Sequence, residues 1–551
     1  MKITSLATSI LGLVIASFPL NAQDLNFKEQ GFSLPDNSEK IILADFNADG
    51  LNDLLVVLDD RLRFYFQKAN GFDFAMGYQE ISFSSQAVGW DISAGYNNDD
   101  SISLLALVDG DQVLAWHPSN YEMQGPETIA TNMNGFMSKG LSRLHFSNDI
   151  NDDGLEDLVI PGPGTLQIYI QESSSNYEPA LSVQAEFRIR TNLESSNLER
   201  RIGQAVRIPF LELRDINADG LADLISKTEE TLHVFLASGD SLSYFSATPS
   251  YSLDIAEIQQ RLGEFDIENL DFSNLTGVLA LTHEEILEDI DGDGIADLML
   301  REGGKVTVYG GTNTGMEFSQ PRQILRSGGN VLSTFLYDEN EDGLKDLWLW
   351  RVEPISVSDI FVWLALSGSI AVEAFVYPNQ GERFARRPAR KLTVNLKFPS
   401  VMRLVSSYGG LQDELESDTA GESLLSGSGD FKPDLPQQDL VALIDQQLLF
   451  FMGKLEADED SEFMSALGYS RTVDNYEIDI KSILDEALAT LNPSPASIDQ
   501  RSADQIINLA TEINPEELIT AQVNGDSIDE IFIFRAPVGG QISGILLTSD
   551  E

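Results

Sequence analysis

The sequence predicts an all-β chain folded as a closed ring of seven or eight small four-stranded sheets, with partly helical insertions. Three observations carry this: an Asp-rich loop pattern that recurs along the 551 residues, short apolar runs on either side of each copy, and an alternating apolar strand that follows. Self-similarity of this kind marks a repeat architecture, in which each unit buries its faces only against its neighbours.

The recurring loop is plainest at Asp45-Phe-Asn47-Ala-Asp49-Gly50-Leu51-Asn-Asp53, and near copies begin at Asp149, Asp215, Asp289 and Asp338. Three weaker copies fill the gaps. Gly95 to Leu104 keeps only Asn97 and Asp99, Asp430 to Leu440 has one residue too many, and Gln522 to Ile531 keeps Asn524, Asp526 and Glu530. Eight units result, each a module of about fifty residues enlarged in places by insertions.

An apolar run such as Ile41-Ile42-Leu43 precedes each loop, and one such as Leu54-Leu55-Val56-Val57 follows it. A third strand alternates as a half-buried strand should, in Leu62 to Phe66, Leu166 to Ile170, Leu232 to Leu236 and Val306 to Tyr309. Segments such as Gly71-Phe72 and Gly381 to Phe384 lead into a fourth. Four strands per module match a β-propeller blade. The last unit has strands at Glu530 to Phe534 and Ile542 to Thr548, and Phe27 to Leu34 is expected to supply its missing outer strand and fasten the ring.

Insertions are expected near 190–207, 254–280, 354–375, 405–429 and 478–518. Helical spacing with a capping residue is present at Asp254, Ile255, Glu257, Ile258 and Leu262, and helical spacing recurs at Ile480, Ile483, Leu484, Leu488 and Leu491. The stretch from Ser502 to Leu518 is read as helical too. These helices are expected to cover the rim, Tyr408 to Gly429 to form a mobile loop, and the apolar run Ile360 to Leu366 to be buried core.

Residues 1–22 read as an export signal: Lys2 is the positive end, Ile10 to Leu20 is apolar, and Leu20-Asn21-Ala22 is a small-residue cleavage site before Gln23. Residues 23–551 are then one propeller domain, exported to the periplasm, the cell surface or the medium. No later run is long enough to span a bilayer. The chain has no cysteine, so no disulfide can staple it in an oxidising compartment. With 88 acidic and 35 basic residues the formal charge is −53, which argues against nucleic acid and anionic lipid as partners and favours cations. Part of that acidity is also what a salty environment tolerates.

Within each full loop, positions 1, 3 and 5 present carboxylate or amide oxygens, and the glycine at 6 permits a sharp turn. Position 7 has a backbone carbonyl to offer, and the Asp at 9 can close the site. Without an ion these carboxylates repel one another. Calcium takes six to eight oxygen ligands in irregular geometry, magnesium keeps its waters, and zinc wants the His or Cys these loops lack. Asp-Gly turns also occur in hairpins for conformational reasons alone, and it is the fivefold repetition that favours calcium, at about five sites.

The loops and the blade pattern resemble the integrin-alpha-type FG-GAP repeat, also called the VCBS-like repeat, over nearly the whole mature chain. The resemblance implies calcium between blade strands of a seven- or eight-bladed propeller. Carried over position by position, the ligands are Asp45, Asn47, Asp49, Leu51 and Asp53; Asp149, Asn151, Asp153, Leu155 and Asp157; Asp215, Asn217, Asp219, Leu221 and Asp223; Asp289, Asp291, Asp293, Ile295 and Asp297; and Asp338, Asn340, Asp342, Leu344 and Asp346. The leucine and isoleucine contribute backbone carbonyls. The unit at Gly95 lacks the first and last carboxylates and is expected to be empty.

Four histidines fall in different units without metal or triad spacing, and no phosphate loop or nucleophile elbow occurs. The basic cluster Arg383, Arg386, Arg387, Arg390 and Lys391 is expected to neutralise neighbouring carboxylates, the alternative being a grip on an anionic polysaccharide. The function that follows is a non-enzymatic, calcium-stabilised scaffold for binding or adhesion, with a glycan or protein as ligand. The alternative is a calcium-dependent propeller enzyme with lyase chemistry on acidic polysaccharide.

Overall fold

A computed structural model describes residues 25–549, apart from short breaks and the longer stretches 194–199, 264–270, 400–424, 433–437, 456–468, 480–502 and 536–541. Residues 1–22, expected to be an export signal, and the helical pattern from Ile480 to Leu491 lie outside the described residues.

The fold is a β-propeller. Eight sheets of four antiparallel strands follow one another in chain order, two of them extended by a fifth, parallel strand. Blade 1 consists of Ser38–Ala44, Asp53–Leu58, Arg61–Tyr65 and Tyr78–Ser82. The second strands start at Ser103, Asp157, Asp223, Asp297, Asp346, Gln438 and Glu530 in blades 2 to 8. They are covered on both faces, which is why Asp53–Leu58 and Asp297–Glu302 are buried at every residue. The third strands have one well-covered face and largely alternate, as in Thr231–Phe235 and Arg61–Tyr65.

The sheets stack face to face. Leu55, Leu62 and Phe64 of blade 1 pack on Trp90, Leu104 and Ala106 of blade 2. Equivalent shared cores join blades 2 to 3, 3 to 4, 4 to 5, 5 to 6, 7 to 8 and 8 to 1. Each fully buried Leu, Ile or Phe in these seams contributes on the order of 1.5–3 kcal/mol. A polar clasp reinforces the seam between blades 5 and 6. The guanidinium of Arg301, almost fully buried, lies 2.9 Å from Glu284, whose carboxylate also accepts the Thr334 N–H and hydroxyl. Burial alone would raise the Glu284 carboxyl, but Arg301 and Thr334 hold it below the usual range.

Between blades 6 and 7 the described residues share no apolar core. Blade 6 there presents Trp348, Ala374, Val376 and Leu392, with Tyr469 and Tyr476 packed on them. The strand Asn475–Asp479, from an excursion within blade 7, pairs in parallel with Arg390–Phe398 of blade 6. Ion pairs of 2.8 Å from Arg390 to Asp474 and 2.7 Å from Lys397 to Glu477 fasten it. The ends of the described chain meet as expected: Phe27–Leu34 pairs antiparallel with Ile542–Ser549 over eight residue pairs, giving blade 8 its outer strand.

The insertions depart from expectation in several places. Residues 186–207 hold a two-stranded hairpin, Glu186–Leu193 with Arg200–Arg207. Helix α1 (Ile255–Leu262) forms as its cap predicts, the Asp254 carboxylate accepting the Glu257 N–H. The segment 502–518 is not helical where it is described: Gln505–Asn508 and Pro515–Ala521 are strands of blades 7 and 8, because pairing with neighbours outweighs a weak helical pattern. Of the loop from Tyr408 to Gly429, residues 408–424 lie outside the described residues and Leu425–Gly429 is the first strand of blade 7.

The run from Ile360 to Leu366 is not core. It lies largely in helix α2 (Val357–Ala365), started by a capping box at Ser356 and Asp359, with Phe361 67 %, Val362 52 % and Leu366 63 % exposed. Consecutive helix positions point about 100° apart, so a short helix in a connection cannot turn all of Ile360, Phe361 and Val362 inward. No helix among the described residues is long and apolar enough to cross a membrane. In the basic cluster, Arg390 also pairs with Glu339 and Lys391 with Glu373, while Arg383, Arg386 and Arg387 lie exposed on the preceding turn.

Candidate metal centre

The five full loops join the first and second strands of blades 1, 3, 4, 5 and 6, and they close on themselves by one repeated set of hydrogen bonds. In blade 1 the Asp49 N–H donates to Asp45 Oδ1 and Asn47 Oδ1, the Gly50 N–H to Asp45 Oδ2, and the Leu51 N–H to Asp49 Oδ1. The same contacts recur around Asp149, Asn151 and Asp153 with Leu155. They recur around Asp215, Asn217 and Asp219 with Leu221, and around Asp289, Asp291 and Asp293 with Ile295. Asp338, Asn340 and Asp342 with Leu344 complete the series. Positions 1, 3 and 5 are thereby gathered around one point in all five loops.

Two left-handed residues make this turn. Glycine at position 6 has φ from 85° to 89° in the five loops. Position 4 is left-handed as well, although it holds Ala48, Asp152, Ala218 and Glu341 in four of them and Gly292 only in blade 5. The strain at position 4, invisible in the motif, is held by the loop's own hydrogen bonds.

The position 9 acid also holds backbone. Asp53 is buried, and its two oxygens accept the N–H groups of Phe46 and of Gln67, fourteen residues on. Asp157, Asp223, Asp346 and Asp439 repeat this clamp, Glu530 does so with Val523 and Ser549, and Asp297 takes the Gly311 N–H. Seven blades therefore share the clamp, including two whose loops are degenerate. Blade 2 has Ser103 in place of the acid, its Oγ 2.9 Å from His117 Nδ1. Burial pushes the Asp53 and Asp157 carboxyls up to about 7, against the backbone hydrogen bonds that lower them, with the position 1 and 5 carboxylates adding repulsion. Burial likewise raises Asp297 to about 6.

The loops are also the joints between blades. The N–H at position 8 donates to a carbonyl at the start of the preceding blade's loop: Asn52 to Val523, Ile102 to Phe46, Ala296 to Ile216 and Asp529 to Asp430, each at 2.8 Å. Lys345 at the same position reaches back to Glu288 at 2.9 Å. At the closure of the ring, Gly525 (φ 74°) packs so closely on blade 1 that a Cβ there would overlap the Gly50 carbonyl. Gly525→Ala is expected to destabilise the protein by about 2–4 kcal/mol, since both the conformation and the space are closed to it. Gly50→Ala, where a Cβ meets nothing within 4 Å, is expected to cost only about 1–2 kcal/mol. Chemical denaturation of the two variants measures the difference.

Chemically, these loops offer oxygen donors alone. In blade 5, Asp289, Asp291 and Asp293 bring carboxylate oxygens within 4.8 Å of one another, a set that fits a hard divalent cation. The blade 8 loop is closed differently: Gln522 replaces the first carboxylate, and the Ser549 hydroxyl joins Asp526 and Asn524 by hydrogen bonds. Asp430 is tied to Asp529, and 433–437 and Asn97 to Asp99 lie outside the described residues. The four histidines are apart, His117 stacked on Tyr96, His233 beside Ser252, His283 between Glu285 and Gln259, and His145 exposed.

Comparison with known proteins agrees with this geometry. Residues 289–349, which hold the blade 5 loop, three strands of that blade and the blade 6 loop, match the FG-GAP-like repeat family. The chain carries an FG-GAP-like repeat. No curated protein sequence is significantly similar to it. Among solved structures it is similar to an N-acetylglucosamine-recognising lectin of Agrocybe aegerita, at 12 % identity and a TM-score of 0.26, covering 67 % of this chain and 80 % of that one. It is also similar to the WD40 domain of SCAP from fission yeast, at 10 % identity and a TM-score of 0.20 over 67 % of this chain and 66 % of that one.

Proposed function

We propose that this chain is an exported, calcium-binding β-propeller that serves as a scaffold for binding or adhesion and performs no chemistry of its own. The observation that carries the reading is the fivefold recurrence of one oxygen-lined loop at the joints between blades. Ions there would be held by the side chains at positions 1, 3, 5 and 9, with the carbonyl of position 7, as from Asp45 to Asp53 and in the matching loops. A bound divalent cation supplies positive charge where three or four carboxylates otherwise face one another, and so locks each joint. Neutral Asn at position 3 of four loops lowers the charge without removing an oxygen.

The apolar N-terminal run and the absence of cysteine support a calcium-rich compartment outside the cytoplasm, where the ions take the role disulfides have in other exported proteins. A glycan or a protein is the proposed ligand. Elemental analysis of protein purified without chelator tests the central part: calcium in a small whole-number ratio to protein is expected, and an absence of alkaline-earth metal would refute it. Incubation with acidic glycans tests the remainder, since turnover that follows the protein through purification would replace the scaffold by an enzyme.

A further inference from the structure

The blade 5 loop departs from its four counterparts in three linked ways. Position 3 is Asp291, where the others have Asn47, Asn151, Asn217 and Asn340, so positions 1, 3, 5 and 9 together hold four carboxylates here and three in each of the others. In three of the others the asparagine Nδ2 donates to the position 5 carboxylate, at 2.9–3.1 Å, and Asp291 has no such donor.

Next, a cation of the chain itself enters the loop. Arg322, just before the strand Gln323–Arg326, places Nη1 2.6 Å from Asp291 Oδ2 and 2.9 Å from Asp297 Oδ2. Finally, room has been made for it. The residue before the clamp donor is Phe66, Ile170, Leu236, Pro378 or Met452 in five other blades, but Gly310 in blade 5. A Cβ on Gly310 would lie 2.6 Å from Arg322 Nη2 and 3.2 Å from its Cζ.

A guanidinium that merely balanced the extra carboxylate would touch Asp291 alone. Arg322 also bonds Asp297, whose counterparts in blades 1, 3, 4 and 6 accept backbone N–H groups, and it does so beside the Ile290 and Gly311 N–H groups, so it grips the closing acid as well. It thus bonds positions 3 and 9, two of the places a divalent ion would use. Arginine stays protonated at any pH the protein meets and is tethered, so it cannot be washed out.

We propose that Arg322 is a built-in counter-ion that fills the 289–297 loop in place of a divalent cation, making blade 5 the metal-independent member of the ring. The calcium requirement then falls on the loops at Asp45, Asp149, Asp215 and Asp338, and that part rests on the calcium reading above.

Hydrogen exchange of the full chain, with chelator and with calcium, tests this. In chelator the amides of Asp293, Gly294 and Ile295 are expected to exchange roughly tenfold or more slowly than those of Asp49, Gly50 and Leu51, the worth of a charge-assisted hydrogen bond. Calcium should slow the other four loops and leave 289–297 nearly unchanged. Arg322→Gln should abolish the difference in chelator and make 289–297 respond to calcium. Asp291→Asn, which restores the residue of the other loops and keeps the fold's spacing, should also increase the response to calcium. Equal exchange of all five loops in wild-type protein in chelator would overturn the proposal, as would calcium protection of 289–297 equal to that of the others. If calcium protects no loop, the calcium reading fails alone, because the comparison in chelator still decides the role of Arg322.

Discussion

Chelation of calcium is expected to lower the melting temperature by on the order of 10–20 °C. An ion that binds only the folded chain, at a hundred times its dissociation constant, contributes about 2.7 kcal/mol per site, so four loops contribute about 11 kcal/mol. The loops lie at the joints where Asn52, Ile102 and Ala296 are bonded to the preceding blade, so losing the ions loosens the docking of whole sheets. Magnesium at equal concentration should restore much less, because it gives up its waters reluctantly. Scanning calorimetry with and without chelator checks this, and equal melting temperatures would leave the loops as plain turns.

Deletion of Phe27–Leu34 is expected to abolish cooperative folding of the ring or leave it aggregating. That strand supplies eight residue pairs to blade 8, and Phe32 and Leu34 are buried between blades 8 and 1. Phe32 meets Phe532 and Phe534 edge-on, with ring centroids 6.0 and 5.3 Å away. Phe32→Ala alone should cost about 3–5 kcal/mol. Removing the whole strand also bares the edge of Ile542–Ser549, a template for pairing between molecules. Calorimetry and size-exclusion chromatography read the outcome, and a deletion variant that melts within a few degrees of the intact chain would contradict a ring closed by its ends.

Much of this fold was legible because its determinants are local. Asp45 to Leu58 carries a turn signal and a two-sided apolar strand in one stretch, and its recurrence announces the blades. The pairing of Phe27–Leu34 with the last blade could be foreseen because that blade was one strand short. Long-range partners were not legible. The parallel strands Gly140–Arg143 and Asn475–Asp479 pair with Ala87–Ser93 and Arg390–Phe398, well separated from them in sequence, and neither has a pattern that names its partner. The strands within 502–518 were masked by apolar spacing that suits either structure.

At the site, oxygen-bearing positions were readable from the motif, but the division of labour among them was not. That position 9 clamps two backbone N–H groups emerges only when the residue fourteen places on is seen beside it. Arg322 lies 31 residues from Asp291 and 25 from Asp297. Its one sequence trace is Gly310, a small residue where other blades have a large one, and that trace has meaning only once the blades are aligned in space.

The most direct test is anomalous scattering from a crystal grown with calcium. Peaks are expected inside the loops at Asp45, Asp149, Asp215 and Asp338, about 2.3–2.6 Å from the oxygens at positions 1, 3 and 5. Loops that keep the folded geometry described above while showing no such peaks would contradict the account.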